Sequence, residues 1–343
     1  MDINIQNTMK EGNMKLTAPN LIRWAGLSAM AAGIIFIAGL AAAIAFGGPP
    51  SPPAMASISN PFDTVDFSDL PPLLRYTAED GAALAYRHYG PARGAVRGSV
   101  VLVHGSSANS NSMHVLAKAF AAAGYDAYAL DIRGHGASGT KGRIDYIGQL
   151  EDDLSAFAKS VLLKKPATLV GFSSGGGFVL RVAGSPRQDT FQNYLLLSPF
   201  LSVDAPNARP GGGGWVNVGL PRIIALTILN RLGIHAFHNL PVTSFALREE
   251  AKKILTPTYS FSLVANFGPQ RDYEANIRAV HRPVAVVAGT ADEVFMTDKL
   301  EAIFRKQGQL WPVTLLPGIG HIALTLDPSA VKAAVSAVEA FPQ

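Results

Sequence analysis

Between residues 73 and 340, short apolar runs alternate with helix-like stretches, and this rhythm restricts the architecture more than any other feature of the sequence. Residues 99–104 (SVVLVH), 127–131, 167–172, 194–198, 284–288 and 313–316 are short and largely apolar, as strands buried on both faces are. Residues 114–124, 150–163, 175–183, 299–306 and 329–340 read as helices between or after them. Residues 73–79 and 83–89 flank Asp80-Gly81, a hairpin signal. The expectation is an α/β domain with a mostly parallel sheet covered by helices on both sides. The rhythm fails from about residue 201 to 282, which is too long for a plain loop. That stretch holds four consecutive glycines at 211–214, then Trp215 and an apolar run at 220–232. It is expected to form a cap over the sheet edge.

Ahead of this domain, residues 24–46 contain no charged side chain. As a helix they would rise about 34 Å, enough to cross the hydrocarbon of a bilayer. The whole chain is 48% hydrophobic and only 16% charged, which also favours contact with lipid. Lys10, Lys15 and Arg23 precede the run, and the next basic residue after it is Arg75. The positive-inside rule then places residues 1–23 in the cytoplasm and the catalytic domain on the other side, the periplasm of a bacterial cell. Ala54-Met55-Ala56 fits a signal-peptidase site, so secretion after cleavage near Ala56 is the alternative. The length of the apolar run favours an uncleaved single-pass anchor. Residues 47–72 then read as an extended, Pro-rich tether to a domain spanning 73–343.

The chain has no cysteine, which excludes disulfides, thiolate metal sites and a lipidated N-terminal Cys. A net charge of +4 without a basic block argues against nucleic acid as a partner.

Gly171-Phe172-Ser173-Ser174-Gly175 lies between an expected strand and an expected helix. A serine there sits on a sharp turn that exposes its hydroxyl, and the flanking glycines let strand and helix approach. Here the sequence resembles the α/β-hydrolase superfamily, and four further segments strengthen the resemblance. His104-Gly105 ends a strand where that family builds half of its oxyanion hole. The resemblance implies backbone N–H donors at Ser106 and Ser174. Asp131-Ile132-Arg133-Gly134-His135-Gly136-Ala137-Ser138-Gly139 resembles a segment of the monoacylglycerol-lipase and lysophospholipase-like branch, with a serine aminopeptidase-type domain. We read it as scaffold, because Asp131 and His135 precede Ser173 and the family runs Ser, acid, His. Gly289-Thr290-Ala291-Asp292 places an acid after a strand, with Glu293 and Asp298 as alternatives. His321, in a Gly-rich loop after the last strand, completes the order.

The resemblance implies an eight-stranded-type sheet with an inserted cap, Ser173 as nucleophile, His321 as base and Asp292 as supporting acid. It implies carboxylic-ester hydrolysis through an acyl-serine, and the anchor and apolar cap favour lipid-like esters such as monoacylglycerols or lysophospholipids. An aminopeptidase or cofactor-free haloperoxidase of the same fold is the alternative, as is a catalytically silent, membrane-tethered binding protein. The nucleophile turn lacks the Gly-Gly-Ser-Trp-Gly typical of proline-type aminopeptidases. No organic cofactor is implied. Nor is a metal: of the remaining histidines, His235 and His238 come nearest to ligand spacing, and they do so weakly. Nothing in the sequence addresses oligomeric state, and no motif in the cap identifies the substrate.

Overall fold

The computed structural model describes residues 18–91 and 94–342, with side chains of the N-terminal helix from Ile22 onward. Its strands in chain order are β1 (Leu74–Thr77), β2 (Ala83–Tyr89), β3 (Ser99–Val103), β4 (Asp126–Leu130), β5 (Ala167–Phe172) and β6 (Asn193–Leu197). They continue with β7 (Val216–Val218), β8 (Pro241–Phe245), β9 (Thr258–Ser260), β10 (Val284–Gly289) and β11 (Val313–Leu316). The helices are α1 (Ala18–Phe46), α2 (Ala56–Ser59), α3 (His114–Ala122), α4 (Gln149–Val161) and α5 (Ser174–Ala183). After them come α6 (Leu220–Arg231), α7 (Phe261–Asn266), α8 (Tyr273–Arg278), α9 (Leu300–Lys306) and α10 (Pro328–Glu339).

The main sheet has eight strands in the order β1-β2-β4-β3-β5-β6-β10-β11. β2 runs antiparallel to β4, and the strands from β4 to β11 are parallel. Every residue of β3, β5, β6 and β10 is buried, so both faces of the sheet centre are covered. The register pairs Val103 with Gly171, Phe172 with Leu197 and Gly289 with Leu316. The carboxyl ends of β3, β5, β6, β10 and β11 therefore meet at one edge, where a doubly wound sheet offers a crevice. The expected hairpin closes at Asp80-Gly81, with Gly81 at φ +83° and the Asp80 carboxylate accepting the Ala82 N–H. Phe157 of α4 fastens this hairpin to the body, making edge contacts with Tyr76, Tyr86 and Tyr128 at 5.3, 5.2 and 5.7 Å between centroids.

The insertion between β6 and β10 contains a small antiparallel sheet, β7-β8-β9, with α6 beside it. Its last part returns to the body instead of capping it. A Cβ on Gly177 would lie 2.7 Å from Pro269, and one on Gly184 would lie 2.0 Å from Asn276, so α8 sits directly on α5.

Of the basic residues before the apolar run, Arg23 lies inside α1, and Lys10 and Lys15 fall outside the described residues. One expectation at the N-terminus needs correction. Residues 47–72 are not a free extended tether. α2 and the 3-10 turn that follows it, Asn60–Thr64, fold back on the domain, burying Ile58. The Met55 N–H bonds to the Ala246 carbonyl at 2.9 Å, and Asp63 forms a two-bond ion pair with Arg248 of the cap at 2.7 and 3.0 Å. Apolar Met55, Ile58 and Phe62 gain burial that an extended chain would forgo, and the prolines beside them do not oppose a short helical turn.

Candidate active site

Ser173 follows β5 directly and precedes α5. Its φ of 56° and ψ of −120° are strained for a residue with a side chain. Neighbouring glycines hold the turn in that geometry. A Cβ on Gly171 would lie 2.3 Å from the Gly175 carbonyl oxygen, and one on Gly175 would lie 2.3 Å from the His104 carbonyl oxygen. Strand, turn and helix can close this tightly only without those side chains, so the hydroxyl of Ser173 is pushed up at the carboxyl edge of the sheet.

His321 and Asp292 arrive there from the loops after β11 and β10. His321 Nε2 is 3.0 Å from Ser173 Oγ, and His321 Nδ1 is 2.8 Å from Asp292 Oδ2. Asp292 Oδ1 accepts the N–H groups of Val294 and Phe295, each at 2.8 Å. All three side chains are buried. Burial opposes ionisation of Asp292, but the charge and hydrogen bond of His321 and the Phe295 N–H outweigh it, leaving the carboxyl below its ordinary pKa. An ionised Asp292 accepts only, so Nδ1 of His321 carries the proton and Nε2 is left to accept from the serine hydroxyl. Phe172 and Phe295 flank the imidazole at 4.7 and 5.3 Å between centroids.

The alternatives weighed from the sequence lie elsewhere. Glu293 accepts the backbone N–H of His321 at 2.9 Å, not its ring, and Asp298 pairs with Lys299 at the surface. Asp131 accepts the N–H groups of Ser110 and Ala137 at 2.7 and 2.8 Å, a scaffold position. His135 is buried against Tyr259, with Nε2 2.6 Å from the phenol oxygen. His235 and His238 face each other at 3.3 Å, and among the described residues no group of three ligand-type side chains gathers around them.

Gly105, Ser106 and Ser173 open onto a cavity of about 620 Å³. Ser174 is the first residue of α5, so its N–H has no acceptor within the helix. The cavity walls come from two directions: Ile58, Phe62 and Phe67 from the N-terminal segment, and Leu247, Ile254 and Leu255 from the cap. The N-terminal wall is the part of the site that sequence reasoning missed. Its trace was the i, i+4 spacing of Ile58 and Phe62 within a stretch that its prolines marked as a linker.

A family model for serine aminopeptidase, S33 (Hydrolase_4) matches residues 94–328. The chain belongs to this family of hydrolases. The S33 domain is 38% identical over 89 residues to a monoacylglycerol lipase of Mycolicibacterium smegmatis, covering 24% of this chain and 31% of that protein. It is 32% identical over 127 residues to a non-heme chloroperoxidase of Kitasatospora aureofaciens, covering 37% and 44% respectively. The matches thus span less than half the length of these curated relatives. A crystal structure described as a membrane phospholipase A shares the fold, with a TM-score of 0.51, 15% identity, and coverage of 94% of this chain and 98% of that one. The S33 chain is an α/β-hydrolase similar to the monoacylglycerol-lipase branch.

Proposed function

We propose that this protein is a membrane-anchored serine hydrolase that cleaves carboxylic esters with an apolar acyl chain. The observation that carries the reading is the Ser173–His321–Asp292 relay opening onto a cavity lined by apolar side chains. Ser173 Oγ attacks the ester carbonyl while His321 Nε2 takes its proton. The negative charge developing on the carbonyl oxygen is received by the N–H groups of Ser106 and Ser174. His321 returns the proton to the leaving alkoxide, an acyl-serine remains, and a water activated by His321 releases the acid. Asp292 holds the imidazole tautomer and stabilises its protonated form.

An ester is favoured over a peptide by the charges around the cavity. Its acidic lining residues are Asp63, already paired with Arg248, and Glu250 at the exposed rim. Neither is free and enclosed to receive the ammonium of an aminopeptidase substrate. The lipid-like class is supported by α1. Its stretch Ile22–Phe46 has a most apolar window of mean hydropathy 2.4, and none of that window is buried. Arg222 of α6 donates to the carbonyls of Ile44 and Ala45 at 2.8 and 3.0 Å, fixing the end of α1 to the cap. Leu220 and Ile224, within two positions of Arg222 on α6, are exposed.

A fluorophosphonate probe and a panel of esters graded in acyl length test the reading. Labelling at Ser173 with turnover rising toward longer chains is expected. Absence of labelling in the folded protein would point to a binding protein. Labelling without ester turnover would move the reaction to another class.

A further inference from the structure

The run Gly211-Gly212-Gly213-Gly214-Trp215 has no part in the reaction as written above. All four glycines have positive φ, from 56° to 99°, in the region open to glycine. A Cβ on Gly213 would lie 2.1 Å from the Glu293 carbonyl oxygen, so the run lies against the turn that carries Asp292. Trp215 comes next. It is buried beside Phe245 at 5.4 Å between centroids, and its Nε1–H donates to Ser106 Oγ at 2.8 Å. Its backbone is tied down by bonds to Gly212 and Ala246.

Ser107 is gripped by a second part of the cap. It has φ +68°, exchanges bonds with Thr256 at 2.7 and 2.9 Å, and donates its N–H to the Tyr259 hydroxyl at 2.5 Å. Tyr259 in turn donates to His135 Nε2, which burial keeps neutral. The segment after β3 is therefore held from the cap at both Ser106 and Ser107, and the carbonyl of Gly105 before it is held by His104 Nδ1 at 2.7 Å.

We propose that the cap organises the oxyanion site, with Trp215 as the positioning residue that aims the Ser106 N–H through its bond to the Ser106 hydroxyl. This rests on the ester-hydrolase reading given above. A backbone donor contributes only when it points to where the oxyanion forms, so releasing Ser106 should cost rate and leave ground-state binding intact. Without that hold, the Gly105 carbonyl keeps its bonds to His104 Nδ1 at 2.7 Å and to the Ala108 N–H at 3.4 Å, while the Ser106 side of that peptide loses its tie to the cap and its N–H drifts from its aim.

The test uses the full chain in detergent with p-nitrophenyl acetate and a trifluoromethyl ketone, which adds to the serine to give a tetrahedral oxyanion. Trp215→Phe keeps the ring and removes the donor; Ser106→Ala keeps the amide and removes the acceptor. Each should lower kcat by about tenfold to a hundredfold, with KM within about twofold. Affinity for the ketone should fall by the same factor as kcat/KM, and the pH profile should not move. The double variant should be no worse than the poorer single one. An unchanged kcat in either variant, a change in KM alone, or additive losses would overturn the proposal. Should Trp215→Phe not fold, Ser106→Ala decides by itself. A wild-type protein that turns over no ester sinks the underlying reading, and this one falls with it.

Discussion

Asp292 Oδ2 stands 2.8 Å from Nδ1 of His321, while the next residue, Glu293, bonds the backbone N–H of the same histidine at 2.9 Å. Two adjacent acids thus hold one histidine, but only Asp292 reaches its ring. Asp292→Asn should lower kcat by about 10³–10⁴-fold, because the imidazole loses its fixed tautomer. His321→Ala should cost more. Glu293→Gln keeps an acceptor for the backbone N–H and should stay within a fewfold of wild type. Steady-state kinetics on one ester ranks the three, and a crippled Glu293→Gln beside a silent Asp292→Asn would reassign the acid.

The same carboxylate makes stability depend on acid pH. Its pKa is lowered in the folded protein from an ordinary 3.8. The contribution is therefore present above that value and is lost as pH falls through the lowered folded value. Thermal unfolding followed from about pH 5 to about pH 2 should show a shallower loss in Asp292→Asn than in wild type. Parallel curves would argue that the carboxylate is no more stabilised in the folded chain than in the unfolded one.

Ser173 combines a hydroxyl 3.0 Å from His321 Nε2 with a backbone conformation that suits glycine. Ser173→Ala should lose about 10⁴-fold or more in kcat with an unchanged melting temperature. Ser173→Gly should be equally inactive and more stable than the alanine variant, by about 1 kcal/mol, since the strain is relieved. Calorimetry on the two variants separates them, and equal stability would mean the turn is not strained.

Asp63 and Arg248 join the N-terminal wall of the cavity to the cap wall. Both side chains are solvent-accessible, so the pair should matter more for shape than for stability. Asp63→Asn should raise KM for a long-chain ester severalfold, leave a short-chain ester unaffected and barely shift the melting temperature. Equal effects on both esters would show that the wall does not contact the distal acyl chain.

The N-terminal helix makes its own prediction. With α1 retained as an anchor, the protein should stay with membranes after a carbonate wash, and mass spectrometry should find it intact ahead of residue 57. A mature N-terminus at Ser57 would remove the anchor and the main support for a lipid-like ester. The relay of Ser173, His321 and Asp292 would survive that result, because none of its hydrogen bonds involves residues 18–72.

What the sequence determined alone was whatever depends on local chemistry. Apolar runs bounded by turn residues marked β2, β5 and β11 to the residue, although only β5 is buried along its whole length. The glycines around Ser173 marked the tight strand–turn–helix closure there, because no other residue tolerates that closeness of strand and helix. Tertiary structure alone decided relations between segments distant in the chain. Asp292 and Glu293 have the same chemistry and adjacent positions, and only the path of the loop after β10 turns one carboxylate to the imidazole and the other to the backbone. Pro-rich residues 47–72 carry the local signals of a tether, yet Ile58 and Phe62 join the apolar core of the domain, and Met55 and Asp63 bond Ala246 and Arg248 of the cap. The indole of Trp215 meets the hydroxyl of Ser106 across 109 positions of chain. No local preference encodes such a contact, because a single hydrogen bond between remote residues leaves no periodic trace.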